Sequence, residues 1–506
     1  MSAEASRPLR ALSALPVAVA AAVFLPAVLG AGWVADDAVN LAAHAHEGDL
    51  LGEWTTPTYA HAGSGRGHIW RPVPATLQHL TALAFGRSAT AFRVLNVGLH
   101  LGNIVLLQWL ARRAGASTHG AMLLALVFAV HPVTADAVCW SSDVYDLAAT
   151  TAVLGALGVA TSGAGAGARG IAVAALTLIA GLCKESSVAM VPVVAVAASL
   201  GPGGWRRGLQ LGSASALGAG VYLGLHGSIT AQSYASAAAA TPVLNQIRAG
   251  LAAAGWLVPR PLDPAPMAHL FDATDIRTPA IGAATLAGIA GVALAVQRRT
   301  PPFARAVLAA GTAWVFLLTP AAVGIPLIGV QAVRYAYLPL AATALLSAGA
   351  VARPPGRPAL FLGFALALLG LSHTLPRTHD FQHDGTLWSA ELDREPDNPY
   401  AAGSLARWLL KTGDAPRALA LWARAVETAP AGLKVFDRDH ERWLLAQAAF
   451  LRGRPDIALA QVRAYARSLE AQGRPVPGHA NCLEADSLDR LGQPDAAARA
   501  AARCRP

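Results

Sequence analysis

The stretch that decides the fold begins at Arg112-Arg113, continues through Ala121-Met122-Leu123-Leu124-Ala125-Leu126-Val127-Phe128-Ala129-Val130, and ends in His131-Pro132-Val133-Thr134-Ala135-Asp136. A basic pair, an uncharged apolar run and a polar edge follow one another within the length of one membrane crossing, since a helix needs about 20 residues to traverse the hydrocarbon layer. Residues 119–137 are therefore expected to span, with the arginines in the cytoplasm and the polar edge outside. Working outward, the same alternation recurs, and further spans are expected at 11–33, 90–111, 144–161, 170–182, 186–201, 208–226, 279–296, 304–323, 335–352 and 358–374. The two short runs 170–182 and 186–201 flank Lys184-Glu185 and also read as a hairpin that dips into the membrane and returns. Composition agrees. With 54% hydrophobic and 14% charged residues among 506, the chain does not suit a water-soluble core.

Arginines test the topology. Arg7, Arg10, Arg112-Arg113, Arg169, Arg206-Arg207, Arg298-Arg299, Arg353 and Arg357 all fall on the cytoplasmic side if the chain crosses about eleven times. The first run also reads as a signal peptide, but its length and the spans after it favour a retained helix as the expectation. The loops 34–89, 138–143, 183–185, 227–278 and 324–334, and the tail, then lie outside. Because the basic residues of the membrane part sit at the ends of apolar runs, the net charge of +9 is an orientation signal, and nucleic-acid binding is excluded as its reading. The four cysteines show no CxxC spacing of the zinc-finger type.

From residue 377 onward the charge density is that of a soluble protein, so the chain divides into a membrane domain, 1–376, with long external loops 34–89 and 227–278, and a soluble domain, 377–506. The soluble part repeats itself: Gly413-Asp414-Ala415-Pro416-Arg417-Ala418 recurs as Gly453-Arg454-Pro455-Asp456-Ile457-Ala458 and as Gly492-Gln493-Pro494-Asp495-Ala496-Ala497. Ala402, Leu405, Ala406 and Leu409 before the first copy, with Ala418, Trp422, Ala425 and Pro430 after it, fit the helix-turn-helix spacing of a tetratricopeptide repeat. Three such units are about the minimum for a continuous core, and a short helical solenoid that grips a partner is expected. If this part is external, Cys482 and Cys504 are placed to form a disulfide in an oxidising compartment.

Polar residues not needed for orientation gather at the external edges. Trp33-Val34-Ala35-Asp36-Asp37-Ala38-Val39-Asn40 puts adjacent carboxylates at the mouth of the first helix, where ionisable groups are costly to desolvate and a carboxylate can serve as a general base. A solvated loop start is the competing reading. Asn96, His100 and Asn103 line one helix face and are best read as interhelical hydrogen-bonding groups. His131, Asp136, Asp143, Tyr145 and Asp146 share the side of Asp36. Arg71, Lys184 and Arg334 are external cations able to hold a phosphate, although Lys184 and Glu185 read equally well as an ion pair with each other. No Walker or GxGxxG element stands between a strand and a helix, and Gly163-Ala164-Gly165-Ala166-Gly167 reads as a loop between membrane helices.

The order Asp36-Asp37, Arg71-Pro72, Asn96 to His100, His131-Pro132-Val133 with Asp136, Lys184-Glu185, Arg334-Tyr335-Ala336-Tyr337-Leu338-Pro339, and Leu387-Trp388 followed by Pro396-Asp397-Asn398 and the repeats resembles the transmembrane-and-tetratricopeptide-repeat protein O-mannosyltransferases and their bacterial relatives, of the GT-C glycosyltransferase superfamily. The resemblance implies an all-α fold, with a polytopic GT-C-type membrane domain of about eleven helices followed by a short tetratricopeptide α-solenoid. It also implies transfer of a sugar, mannose in the first instance, from a polyprenyl-phosphate carrier to a hydroxyl of an exported protein or envelope acceptor, with inversion. Asp36 falls at the catalytic carboxylate and Asp37 at the accompanying acid. Arg71, His131, Asp136, Lys184, Glu185, Arg334 and Tyr335 fall around the donor phosphate and substrate. The implied partners are the membrane lipid carrier and an exported protein held by the repeats, the implied place the plasma membrane with the repeats outside. A divalent metal is neither required nor excluded. The chain departs from its relatives at Val144, where they often carry arginine, and at Thr134, where a second histidine is common. Two other readings stay open on sequence: a non-catalytic scaffold whose repeats recruit envelope proteins, and a transporter of lipid-linked sugar, although paired repeats with broken helices are not evident.

Overall fold

The computed structural model describes residues 3–37, 50–58, 69–199, 203–230, 333–346, 356–430 and 436–504, with short pieces between 247 and 288 and residues 330–331, 348 and 433. The expected span 304–323, half of 279–296, most of loop 227–278, and Arg298, Arg299 and Arg353 lie outside the described residues. Apart from paired two-residue strands, β1 (His269–Leu270) and β2 (Val330–Gln331), the described secondary structure is helical. The chain forms two compact units, the first reaching His383 and the second made of Asp384–Pro506 with residues 268–270 and 328–330.

The first unit contains α1 (Ala3–Leu29), α2 (Pro72–Phe85), α3 (Ala89–Arg113), α4 (Thr118–Ala129), α5 (Pro132–Cys139), α6 (Val144–Ala160), α7 (Ala166–Cys183), α8 (Met190–Ser199), α9 (Gly204–Ile229), α10 (Tyr337–Leu346) and α11 (Arg357–Asp380). Among the described residues α3, α6 with the turn before it, α7 and α11 are continuous helices long and apolar enough to cross a membrane. The expected span 119–137 is not one helix. It is α4 and α5, meeting at 60°. Pro132 has no amide hydrogen to give the last turn of α4, and His131, in extended conformation, accepts from the amide of Val133 through Nδ1 at 3.3 Å, so it begins a new helix. The run 170–182 is part of a full-length helix, α7, whereas α8 has ten residues and is too short to cross alone.

Central α3 and α6 pack together, with α1, α4 and α11 on one flank and α7, α8 and α9 on the other. Small residues set the approach of the second flank. Gly208 and Gly212 of α9 face Ala195 and Ser199 of α8, and Gly218 lies so close to the Ala174 carbonyl of α7 that a Cβ would overlap it. Polar groups within the bundle bond across it, as expected for the α3 face: Asn96 donates to the Trp140 carbonyl at 2.8 Å, Asn103 to the Leu147 carbonyl at 3.0 Å, and His100 meets the Tyr337 hydroxyl at 2.7 Å. At the C-terminal end of α6 three arginines converge on the carbonyls of its last residue and of the two residues after it. Arg113 of α3 donates to Thr161 at 2.6 Å, Arg169 of α7 to Ser162 at 3.1 Å, and Arg207 of α9 to Ala160 and Ser162 at 2.6 and 3.0 Å.

The second unit is a succession of helices, each packed on the next: α12 (Asp384–Arg394), α13 (Pro399–Thr412), α14 (Ala415–Thr428), α15 (Arg438–Leu451), α16 (Pro455–Ala471), α17 (Gly478–Arg490) and α18 (Pro494–Ala501). The three copies of the repeated motif are the turns of three helix pairs. Gly413, Gly453 and Gly492 each take a positive φ of 99°, 74° and 70°, which a side chain would oppose, and Pro416, Pro455 and Pro494 open the following helices. Ala406 and Ala418 are fully buried between α13 and α14, and Trp422 donates through Nε1 to Glu441 of the next pair at 2.7 Å. Cys482 and Cys504 are bonded, tying α17 to the residues after α18.

Candidate active site

Residues 30–37 leave the end of α1 and carry Asp36 and Asp37. Ala35 has φ 54°, and among the described residues it is the only non-glycine with a positive φ. The left-handed conformation costs an L-residue about 1–2 kcal/mol and persists where the surroundings fix it. Here the fixing groups are Asp37 and Arg93. Asp37 is fully buried, accepting from the amide and hydroxyl of Ser142 at 2.8 and 2.7 Å and from the Val34 amide at 3.3 Å. Arg93, also fully buried, donates to the carbonyls of Gly32 and Phe381 at 3.0 and 2.8 Å and to the Ser141 hydroxyl at 2.9 Å. The loop after α1, the first turn of α3, the Ser141–Asp143 turn and the end of α11 are thereby held on one guanidinium and one carboxylate. Asp36, next along the chain, is partly exposed.

Burial pushes the Asp37 carboxyl up to about 6; Asp36 adds to the rise, while Arg93, Ser142 and the Val34 amide oppose it. The pH dependence runs opposite to that of a salt-bridged carboxylate. With an ordinary value of 3.8, Asp37 stays protonated in the folded state where the unfolded chain has already ionised, so the stability it contributes is full below about 4 and is lost as pH rises through about 6. Relative to Asp37→Asn, the wild-type protein should lose about 1 kcal/mol between pH 5 and 7, read as a fall in melting temperature. Parallel curves for the two proteins across that range would remove this linkage.

On the other side of the Ser141–Asp143 turn stands a cluster of six charged side chains. Arg71, just before α2, donates through Nε and Nη2 to the two carboxylate oxygens of Glu185 at 2.9 and 2.5 Å, and its guanidinium lies 4.5 Å from the centre of the Tyr145 ring. Lys184, at the end of α7, bonds to Asp146 in the first turn of α6. Lys184 and Glu185 do not pair with each other; each takes a partner on a different element. The third pair is loose: Arg334 Nε lies 3.7 Å from Asp143 Oδ1, and its guanidinium lies 4.1 Å from the Trp140 ring and 5.2 Å from that of Tyr335. Burial alone would lift the Glu185 carboxyl, but Arg71, with Lys184, holds it down at about 2. Burial likewise opposes the charge on Arg334, yet Tyr335, Asp143, Tyr145 and Asp146 together raise its pKa. Among the described residues no three His, Cys, Asp or Glu side chains are grouped to hold a metal ion.

Of the residues singled out from sequence, Arg71, Lys184, Glu185, Arg334 and Tyr335 thus come together, and Asp36 and Asp37 lie across one three-residue turn from them. His131 and Asp136 are used elsewhere: His131 caps α5, and Asp136 is paired with Arg377 of α11 at 3.1 Å. Arg93 and Arg377 were legible only as exceptions, since both are arginines at the external ends of expected spans, against the orientation rule.

Helices of membrane length with a buried charge cluster at one end of the bundle define an all-helical integral membrane protein. No protein-family model matches the chain, and no curated protein matches it. Among solved structures it is similar to ArnT from Cupriavidus metallidurans bound to undecaprenyl phosphate, with 17% identity and a TM-score of 0.40, over 87% of this chain and 80% of that one.

Proposed function

We propose that this chain is a GT-C-type glycosyltransferase that moves a sugar from a polyprenyl-phosphate carrier to a hydroxyl of an exported protein or other envelope acceptor. The observation that carries the reading is Arg334. Arg71 and Lys184 are already bonded to carboxylates, whereas the Arg334 guanidinium makes no hydrogen bond among the described residues, is 14% exposed, and rests against two aromatic rings. Its planar array of donors suits a phosphate. Asp36 takes the proton of the acceptor hydroxyl while the acceptor oxygen attacks the anomeric carbon. The bond from that carbon to the phosphate oxygen breaks on the opposite face, and the lipid phosphate leaves with the electron pair, its charge held by Arg334 with Lys184 and Arg71 behind it. The configuration inverts. Asp37 and Arg93 position the loop, His131 and Asp136 brace the α5 side, and Tyr335 backs Lys184, whose ammonium lies 4.8 Å from its ring.

The packing of three helix pairs supports a tetratricopeptide-like solenoid that holds the acceptor, and the Cys482–Cys504 bond favours its placement in an oxidising, external compartment. Mannose is the sugar that the sequence resemblance implies. The test is purified protein in lipid vesicles with undecaprenyl phosphates carrying radiolabelled mannose, glucose or galactose, with envelope proteins as acceptors. Transfer or slow hydrolysis from at least one donor, with release of undecaprenyl phosphate, is expected. A folded protein that turns over none of them is no such enzyme.

A further inference from the structure

Resting on the reading above, the geometry points to Asp143 as the residue that holds the hydroxyl groups of the transferred sugar, beside Arg334 on the phosphate, so that the site distinguishes glycosylated from bare lipid phosphate. Asp143 is fully buried, and neither carboxylate oxygen has a hydrogen-bond donor among the described residues. Arg334 Nε, at 3.7 Å, is too distant to supply one. Asp146 gives one oxygen to Lys184, while its Oδ2 is buried without a donor, and the Trp140 indole nitrogen is buried without an acceptor. Asp146 also lies within side-chain hydrogen-bond reach of Asp143, and one proton shared between the two carboxyls still leaves their other oxygens as acceptors without a donor. Buried acceptors in native proteins are satisfied almost without exception, by protein, water or ligand, so bare oxygens concentrated at one point mark a place where donors arrive from outside the chain.

The surroundings select the class of ligand. A divalent cation is opposed by Lys184 and Arg334, both within electrostatic reach of Asp143. A bare inorganic anion would suit Arg334 and face the unsatisfied Asp143. A glycosyl phosphate meets all three demands: hydroxyls donate to Asp143 and to Asp146 Oδ2, the phosphate accepts from Arg334, and a pyranose has a C–H face to lay against an aromatic ring such as Trp140 or Tyr335. The released lipid phosphate lacks the hydroxyls and leaves Asp143 bare again, so the product is held less well than the donor.

The experiment measures binding of undecaprenyl phosphate, and of undecaprenyl phosphates bearing mannose, glucose or galactose, to the full-length protein in detergent. The wild type should bind at least one glycosylated lipid tenfold or more tighter than the bare lipid. Asp143→Asn, which keeps the shape, should reduce that preference to threefold or less while binding the bare lipid as well as before or better, because the carboxyl that receives the sugar hydroxyls is gone while Arg334 on the phosphate is untouched. Asp143→Glu, which restores the carboxylate, should recover part of the preference. An asparagine variant that keeps the wild-type preference, or that weakens all lipids equally, overturns the assignment, as does a wild type that binds bare undecaprenyl phosphate and prefers no sugar. A wild type that binds no polyprenyl phosphate at all overturns the proposed function itself.

Discussion

Asp36→Asn is expected to lower sugar transfer by roughly 10²–10⁴-fold, the range typical when a general base is removed. The substitution preserves shape and hydrogen-bonding reach while abolishing basicity, and Asp36 is the partly exposed member of the pair, so protein level and melting temperature should stay near wild type. Asp37→Asn is the informative neighbour. Its carboxylate is spent on Ser142 and Val34, so it should perturb the loop and its pH dependence more than the chemical step. Radiolabelled transfer from the donor that the wild type uses would be measured for both. Undiminished transfer by Asp36→Asn ends the assignment of the base, and a loss confined to Asp37→Asn moves it one residue along.

The second large effect is on stability. Arg93→Met removes a buried guanidinium that serves two carbonyls and a hydroxyl and faces a buried carboxylate. Removing one partner of a buried charge pair typically costs about 3–5 kcal/mol, because the other charge is left without compensation. If Asp37 is that other charge, Arg93→Met combined with Asp37→Asn should recover at least about 1 kcal/mol of the loss, a coupling of the size seen between contacting charges. Denaturation in detergent, followed by intrinsic fluorescence, reads all three variants. A single mutant within about 1 kcal/mol of wild type would mean the loop is held by something other than this pair.

Much of the architecture was open to a reading of local pattern. Apolar runs bounded by arginines gave the membrane helices, because crossing a bilayer imposes a minimum length and leaves no backbone group unpaired. The repeat turns were visible because the same backbone geometry demands glycine and then proline each time, as at Gly413 and Pro416. Pairings were not visible. Arg71 meets Glu185 across 114 residues, and nothing in either neighbourhood names the other. Lys184-Glu185 looked like a self-contained pair because adjacency in sequence is the one proximity a reader can see; folding sent the two side chains to different elements. The break at His131-Pro132 was hidden by the continuity of hydropathy through it, although Pro132 was the available sign. Asp143 was read on the same edge as Asp36, and the lack of a fixed donor to its oxygens, which only three dimensions reveal, could not be read there.

The three arginines at the C-terminal end of α6 bear on how the bundle can move. They come from α3, α7 and α9, so four helices are riveted together at one point. Asp143 and Asp146 stand at the opposite end of α6, which at 17 residues is about 25 Å long. With one end of the set fastened, a rotation of a few degrees there becomes a displacement of an ångström or more at the far end, as in a pair of tongs. Widening the charged end then asks for movement there alone, against the Lys184–Asp146 bond between α7 and α6, with the riveted end as the fulcrum.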